Sequence, residues 1–328
     1  MAQIKARIIG TGSYLPERIL TNFDLEKMVD TSHDWISART GIDERRIAAD
    51  HEQTSDLAAA ASRRAMEMAG VAPDQIDMVI LATVTGDFPW PSTACLVQDK
   101  IGASNASAWD VSAACSGFVY AMASASKFIE TGSCKRVLVI GAEIFSRIVD
   151  WEDRNTCILF GDGAGAVVLE GQEGEHGILS THLHSDGSQW ELLYQPGFGS
   201  RYPASVAGIE ARLPFLKMAG NEVFKMAVRS MYDVAVEALQ ANNIQASEIA
   251  MLFPHQANKR ILDAVSKRLK LEDGQMYVNV DKCGNTSGAS IPLALDEANR
   301  KGLLNRGDLV LLDAFGGGFT WGSCLLRW

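Results

Sequence analysis

Apolar positions along this chain fall into two alternating periodicities. An Ala-rich helical stretch from Ser55 to Ala69 passes through Gly70 and Pro73 into Gln75-Ile-Asp-Met-Val-Ile-Leu-Ala-Thr83, a short continuous apolar run of the kind a buried strand makes. Farther on, apolar residues at 223, 224, 227, 228, 231, 234, 235, 238 and 239 draw a helical stripe. That stripe leads into Glu248-Ile-Ala-Met-Leu-Phe-Pro-His-Gln256, again strand-like. Val137-Leu-Val-Ile-Gly-Ala142 and Leu309-Val-Leu-Leu-Asp-Ala314 read as further buried strands, and the N-terminal run Met1 to Gly10 resembles a first one. Strands alternating with helices predict an α/β fold with largely parallel sheets.

The two halves of the chain echo one another. Ile76 corresponds to Ile249 at an offset of 173, Val137 to Leu309 at 172, and Cys115 to Asn285 at 170. Glu143 to Leu159, which carries Trp151 and Arg154, has no counterpart of equal length and reads as an insertion. We therefore expect two similar halves, residues 1–171 and 172–328, packed as one body. In such sheets ligands gather where the carboxyl ends of strands meet helix N-termini. Cys115, His255 and Asn285 would all lie at such ends.

Charge and cysteine usage narrow the function. A formal net charge of −10 and a pI near 5.1 leave no broad basic surface for nucleic acid. No apolar run approaches the roughly 20 residues that span a bilayer, and the N-terminus lacks a signal-peptide core. The six cysteines, at 95, 115, 134, 157, 283 and 324, form no Cys-x-x-Cys pair and no metal-ligand spacing with histidine, so a cytoplasmic protein without a bound metal is expected. His182 and His184 share a strand face, which leaves a metal alternative open there.

Four segments carry candidate chemistry. Cys115, in Ser112-Ala-Ala-Cys-Ser-Gly-Phe118, stands between a strand and a helix, where the positive end of the helix dipole is expected to lower a thiol pKa. His255 follows Pro254 at a strand end and could exchange a proton or donate a hydrogen bond. Asn285, in Gly284-Asn-Thr-Ser-Gly288, reads as a turn or helix cap unless its correspondence with Cys115 marks a role in the site. Phe315-Gly-Gly-Gly-Phe-Thr-Trp321 follows a strand directly and suits an oxyanion hole of backbone N–H groups. On the residues alone, a structural cysteine, a satisfied core histidine and an ordinary glycine turn stay open.

Taken together and in order, Asp110-Val-Ser-Ala-Ala-Cys-Ser-Gly117, Pro254-His-Gln-Ala-Asn258, Gly284-Asn-Thr-Ser287 and Phe315-Gly-Gly-Gly-Phe-Thr-Trp-Gly322 closely resemble the β-ketoacyl-acyl-carrier-protein synthase III family. The resemblance covers essentially the whole chain and includes Thr31-Ser-His-Asp-Trp-Ile-Ser-Ala-Arg-Thr-Gly41 and Phe160-Gly-Asp-Gly-Ala-Gly165. It implies a duplicated thiolase-like fold with mainly parallel five-stranded sheets, a homodimer, and a Cys115–His255–Asn285 triad. The implied activity is the initiating condensation of type II fatty-acid synthesis. A short acyl-CoA, commonly acetyl-CoA, would load Cys115 and then meet malonyl-acyl-carrier protein, so coenzyme A enters as a substrate and no cofactor is expected.

By position, the resemblance also assigns the N–H groups of Cys115 and Gly317 to the oxyanion, and Trp35, Arg39 and Arg154 to coenzyme A. It assigns Gln256, Ala257, Asn258, Lys259, Arg260, Lys225, Lys267 and Arg268 to the acidic carrier protein. Residues 260, 267 and 268 would share one side of a helix. Two departures from the family pattern stand out. Gly288 replaces a frequent Ala, and Trp90 replaces a frequent Phe at the end of the primer pocket, a position supplied by the partner subunit. The larger ring predicts preference for short primers. Rival readings are a related condensing enzyme of secondary metabolism, a Cys-His-Asn hydrolase or thioesterase, and a catalytically silent scaffold.

Overall fold

The computed structural model describes residues 4–328. The first half contains β1 (Ile4–Tyr14), α1 (Thr54–Ala69), β2 (Met78–Ala82), α2 (Thr93–Ile101), β3 (Ser107–Val111), α3 (Gly117–Glu130), β4 (Arg136–Ile144) and β5 (Asp162–Glu173). The second contains β6 (Gly177–Ser185), α4 (Gly220–Ala241), β7 (Met251–Pro254), α5 (Lys259–Leu269), α6 (Ser290–Arg300), β8 (Leu309–Gly316) and β9 (Thr320–Arg327). One sheet has the order β1-β5-β4-β2-β3, the other β7-β8-β9-β6. The α/β class agrees with the sequence reading, but each sheet is mixed. Among the described strands, β2 with β3, β2 with β4, and β7 with β8 pair in parallel, and the other neighbours in these two sheets pair antiparallel. The second sheet has four strands rather than five, because the counterpart of β3 is reduced to a single parallel bridge between Leu252 and Met276.

Strand alternation explains why these segments need cover on both sides. In β2, Met78, Ile80 and Ala82 join the central core, whereas Val79 and Leu81 face the outer one. The central core is closed by α3 and α6 through Phe118, Met122, Ile291 and Leu295, which places these helices between the sheets. Helices α1 and α2 cover the outer face of one sheet, α4 and α5 that of the other. The Ala-rich sequence of α1 lets strand β1 approach closely: a Cβ at Gly12 would lie 2.3 Å from Ala61 O. The molecule is thus five layers, helix, sheet, helix, sheet, helix.

The repeat is more regular than the sequence suggests. Met78 pairs with Val137 and Met251 with Val310, so both strands of each pair are 173 residues apart. The short 3-10 turns Ala114–Ser116 and Ser287–Ala289 match at the same step, and each opens on a non-glycine residue of positive φ, 46° at Ala114 and 48° at Ser287. The structural counterpart of Cys115 is therefore Gly288 (288 − 115 = 173), not Asn285 as the offset of 170 suggested. The paired bridges align Val111 with Asn279, and from there to the matched turn the second half uses five more residues. That extra length holds the small helix Val280–Cys283, and it delivers Asn285. The insertion in the first half also starts later than expected, since β4 continues to Ile144.

Candidate active site

Cys115, His255 and Asn285 line one cavity of about 440 Å³, together with Trp35, Arg39, Ala257, Asn258, Arg260 and Phe315. Cys115 reaches it from the turn between β3 and α3, His255 from the end of β7, and Asn285 from the extra segment before α6. A hairpin and helix from the first half, Arg18–Thr21 with Glu44–Ile47 and His33–Thr40, cap the cavity mouth on one side. Fully buried Arg45 ties this cap to the cavity wall, donating to Leu20 O, Asn22 Oδ1 and Ile158 O at 3.2, 2.8 and 2.7 Å. The wall in turn holds Asn285, whose N–H donates to Leu159 O at 2.8 Å and whose carbonyl accepts from Gly161 N at 3.0 Å.

The thiol is not the low-pKa group expected from its place at a helix start. Burial pushes Cys115 from an ordinary 9.0 up to about 12, and the nearby Glu143 carboxylate adds to the rise. The magnitudes explain the reversal. A helix terminus contributes at most ~2 kcal/mol, or roughly one and a half pKa units, whereas full desolvation moves a pKa by up to about 3–5 units. The buried Ser287 hydroxyl beside the thiol opposes the rise without cancelling it. Burial likewise holds His255 neutral, with its pKa lowered to about 3.

Hydrogen bonds decide which ends of the other two side chains are free. His255 N–H donates to Asp313 O at 2.7 Å, fixing the main chain, and Nδ1 lies 2.8 Å from Ser290 Oγ. Nε2 is left toward the cavity. Asn285 Oδ1 accepts from Ser287 N at 2.9 Å, which leaves the amide N–H groups of Nδ2 as the free end. A neutral imidazole and an amide N–H donor therefore line the cavity beside one thiol.

Gly316 makes this corner possible, since a Cβ there would lie 2.6 Å from Cys115 N. Thr320 Oγ1 ties the glycine segment to the nucleophile turn, 3.0 Å from Ala113 O and 3.3 Å from Gly317 O. Gly317 itself packs on Leu193, where an added Cβ would meet Leu193 O at 2.8 Å, and it is not among the residues lining the cavity. Trp35 lies under two guanidiniums, Arg39 at 4.5 Å and Arg154 at 5.1 Å from the ring centroid. Arg154 sits outside the lining and donates to Asp30 O at 2.8 Å.

At the mouth, Arg260 stands over Phe224 at 5.6 Å and Arg268 over Tyr232 at 4.2 Å, so one seam between α4 and α5 fixes both. Lys225, Lys267 and Arg268 are exposed on those helices. Lys259 is paired with Asp263 at 2.7 Å, and Asn258 caps α5 by accepting from Ile261 N at 3.1 Å. Gln256 is a correction. It is buried, and its amide bonds to Pro254 O, Tyr277 O and Asn279 N, so it braces the His255 loop and offers nothing to a carrier protein. Trp90 is 83% exposed and is not among the residues lining the cavity. His182 and His184 both contact Glu237, at 3.2 and 2.6 Å.

Sequence reasoning missed Glu143, Ser287 and Ser290. Glu143 is fully buried, accepts from Thr83, Val84 and Thr85, and is pushed to about 7 by burial. Its position at the end of an apolar strand run was the available signal. Ser290 lay three residues beyond a quoted motif, and only the fold brings it to His255.

Comparison with known proteins decides the family. The family model described as 3-Oxoacyl-[acyl-carrier-protein (ACP)] synthase III matches residues 109–187, and its C-terminal companion matches 239–328. The chain is 55% identical over 326 residues to a beta-ketoacyl-[acyl-carrier-protein] synthase III of Caldanaerobacter subterraneus subsp. tengcongensis, covering 99% of this chain and 98% of that protein. The chain belongs to the β-ketoacyl-acyl-carrier-protein synthase III family. A synthase III of Xanthomonas campestris pv. campestris is 56% identical, with 99% of each chain covered. The crystal structure of 3-oxoacyl-[acyl-carrier-protein] synthase III from Aquifex aeolicus VF5 superposes with a TM-score of 0.91 at 49% identity, over 98% of this chain and 100% of that one. This synthase III is accordingly an acyltransferase of thiolase fold, the initiating condensing enzyme of type II fatty-acid synthesis. No helix among the described residues is long and apolar enough to cross a membrane.

Proposed function

We propose that the enzyme condenses a short acyl-CoA, acetyl-CoA in the first instance, with malonyl-acyl-carrier protein through an acyl-Cys115 intermediate. The observation that carries this reading is the convergence of one thiol, one neutral imidazole and one side-chain amide, from both halves of the chain, on a single cavity. In the first stage Cys115 sulfur attacks the thioester carbonyl, and the oxyanion is received by the N–H groups of Cys115 and Gly317. Collapse breaks the bond to coenzyme A sulfur. The proton lost from Cys115 ends on that leaving thiol, so a thiol pKa of about 12 is compatible with transfer between two sulfurs.

In the second stage His255 Nε2–H and Asn285 Nδ2–H hold the malonyl thioester oxygen. Loss of carbon dioxide leaves an enolate on that oxygen, and its carbon attacks the acyl group on Cys115. The released thiolate takes up one proton, closing the cycle. Neutral donors suit this task, because a charged imidazolium would have to be sustained in a site that strongly favours the uncharged ring. Trp35, Arg39 and Arg154 suit the nucleotide end of coenzyme A, as a ring face flanked by guanidiniums. Ala257, Asn258, Lys259, Arg260, Lys225, Lys267 and Arg268 form the face for the acidic carrier protein.

We further propose the two halves 1–171 and 172–328 as the repeating units, and a homodimer. Strand β3 is a sheet edge, and Trp90 at 83% exposure, Phe88 at 58% and Phe128 at 37% leave large apolar side chains uncovered. A partner there would also bring a second Trp90 toward the primer end. The six unpaired cysteines support a cytoplasmic setting. Intact-protein mass spectrometry tests the chemistry: acetyl-CoA should add one acetyl group to the wild type and none at Cys115 in Cys115→Ser. Malonyl-carrier protein should then clear the adduct with formation of acetoacetyl-carrier protein and carbon dioxide. Clearance to free acetate without malonyl donor would make the enzyme a thioesterase instead.

A further inference from the structure

Ser290, the first residue of α6, is 2% exposed and lies between two groups of the His255 loop. Its Oγ is 3.3 Å from Gln256 N and 2.8 Å from His255 Nδ1, and among the described residues it has no other hydrogen-bond partner. The backbone N–H of Gln256 can only donate, so it fills one lone pair of the hydroxyl. The hydroxyl has one proton to give, and the sole acceptor in range is Nδ1. A ring that receives a hydrogen bond at Nδ1 carries its own proton at Nε2.

We infer that Ser290 is the positioning residue that fixes His255 as the Nε2–H tautomer, so that the ring presents a donor to the cavity. The reverse arrangement would leave the Ser290 proton without an acceptor in a buried site, which is disfavoured. It would also present a bare nitrogen lone pair to the thioester oxygen, repelling the enolate the site must hold. Gln256 takes part as the brace: its buried side chain bonds Pro254 O, Tyr277 O and Asn279 N and so holds its own N–H on Ser290. This inference rests on the donor role proposed above for His255, and it predicts a separable consequence. Acyl loading of Cys115 does not use that donor, whereas condensation does.

Histidine-selective ¹⁵N labelling of the full chain reads the tautomer directly, with the His255 signal assigned by its loss in His255→Asn. The wild type should show a single Nε2–H tautomer across pH 6–9, a window above the ring's lowered pKa of about 3. Ser290→Ala should show a mixture. In the same variant, condensation should fall by a factor on the order of ten to a hundred, less than the hundred- to thousandfold typical of deleting a donor outright. Acetyl transfer from acetyl-CoA to Cys115 should stay within about twofold, the split expected when an interaction serves only one step. An Nδ1–H wild-type ring, or an unchanged tautomer and unimpaired condensation in Ser290→Ala, overturns the inference. If the wild type neither loads acetyl nor condenses, the catalytic reading fails, but the tautomer measurement still decides the role of Ser290. The wild-type spectrum needs no variant, so instability of Ser290→Ala cannot mask the answer.

Discussion

Replacing Gly316 with alanine should cripple acyl loading while leaving the fold largely intact. A Cβ at Gly316 would stand 2.6 Å from Cys115 N, 3.1 Å from Ser116 N and 3.2 Å from Cys115 Cα, all main-chain atoms that cannot rotate away. Ordinary contact begins at 3.4 Å, so the nucleophile turn and the glycine segment must part by about 0.8 Å. Misplacement near 1 Å costs on the order of a hundredfold in rate, and overpacking of this kind costs about 1–3 kcal/mol in stability. Stopped mass spectrometry of acetyl transfer from acetyl-CoA measures the first and chemical denaturation the second. Gly288→Ala is the control, because the matched turn in the other half is roomier: its nearest neighbours would lie at 3.5 Å, on Ala114 O and Ala82 O. There, with no positive φ to strain, alanine should stabilise by ~0.4–1 kcal/mol. Loading in Gly316→Ala within twofold of wild type would refute the argument that main-chain closeness at this corner governs the rate.

Four further outcomes follow from the site and the core. With a thiol pKa near 12, the rate of Cys115 alkylation by iodoacetamide should climb about tenfold per pH unit up to pH 10, and a plateau below pH 8 would contradict the burial argument. Asp313 is fully buried, and burial raises its pKa well above the ordinary 3.8 against a smaller opposing contribution from the Ala314 N–H. Its neutral form favours the fold fully below the unfolded pKa, and that contribution fades as pH rises toward the folded pKa. The stability of wild type relative to Asp313→Asn should thus fall above pH 4 by up to about 1.4 kcal/mol per pH unit, read from denaturation series at several pH values; a flat difference would show that Asp313 titrates normally. Arg260→Glu should raise the apparent KM for malonyl-carrier protein and spare acetyl-CoA loading, and unchanged carrier kinetics would remove the docking role. Trp90→Ala should extend primer use beyond the short acyl groups, and efficient use of chains of eight or more carbons by the wild type would contradict a pocket shortened by the large ring.

Much of this was legible because it lives in periodicity and in contiguous motifs. The apolar runs around Met78, Val137, Met251 and Val310 locate the four parallel-paired strands that carry the repeat, and the carboxyl end of β7 locates His255, whereas Cys115 follows the neighbouring strand β3. What escaped depends on distance through space. The direction of the Cys115 shift turns on desolvation, which no local motif encodes. Asn285 was matched to Cys115 because both follow a strand, whereas the five extra residues before Ser287 become visible only once the bridge at Met276 sets the register. Gln256 reads as surface beside a catalytic histidine, yet its amide meets Tyr277 and Asn279, more than twenty positions away in sequence.

The constant step of 173 residues also pairs Ala82 with His255 and Glu143 with Gly316, so every element of the reactive corner has a mate. The mates trade places in bulk. Where the nucleophile stands, the facing strand residue is a glycine; where the nucleophile's mate is Gly288, the facing residue is Glu143, whose carboxylate would lie 3.7 Å from a Cβ at Gly288. A chain built twice over thus has one corner hollowed for acyl transfer and a twin corner plugged by a buried acid. A thiol placed at the twin would meet that acid rather than an open cavity, so the proposed acyl-enzyme has room at one corner of the repeat and not at the other.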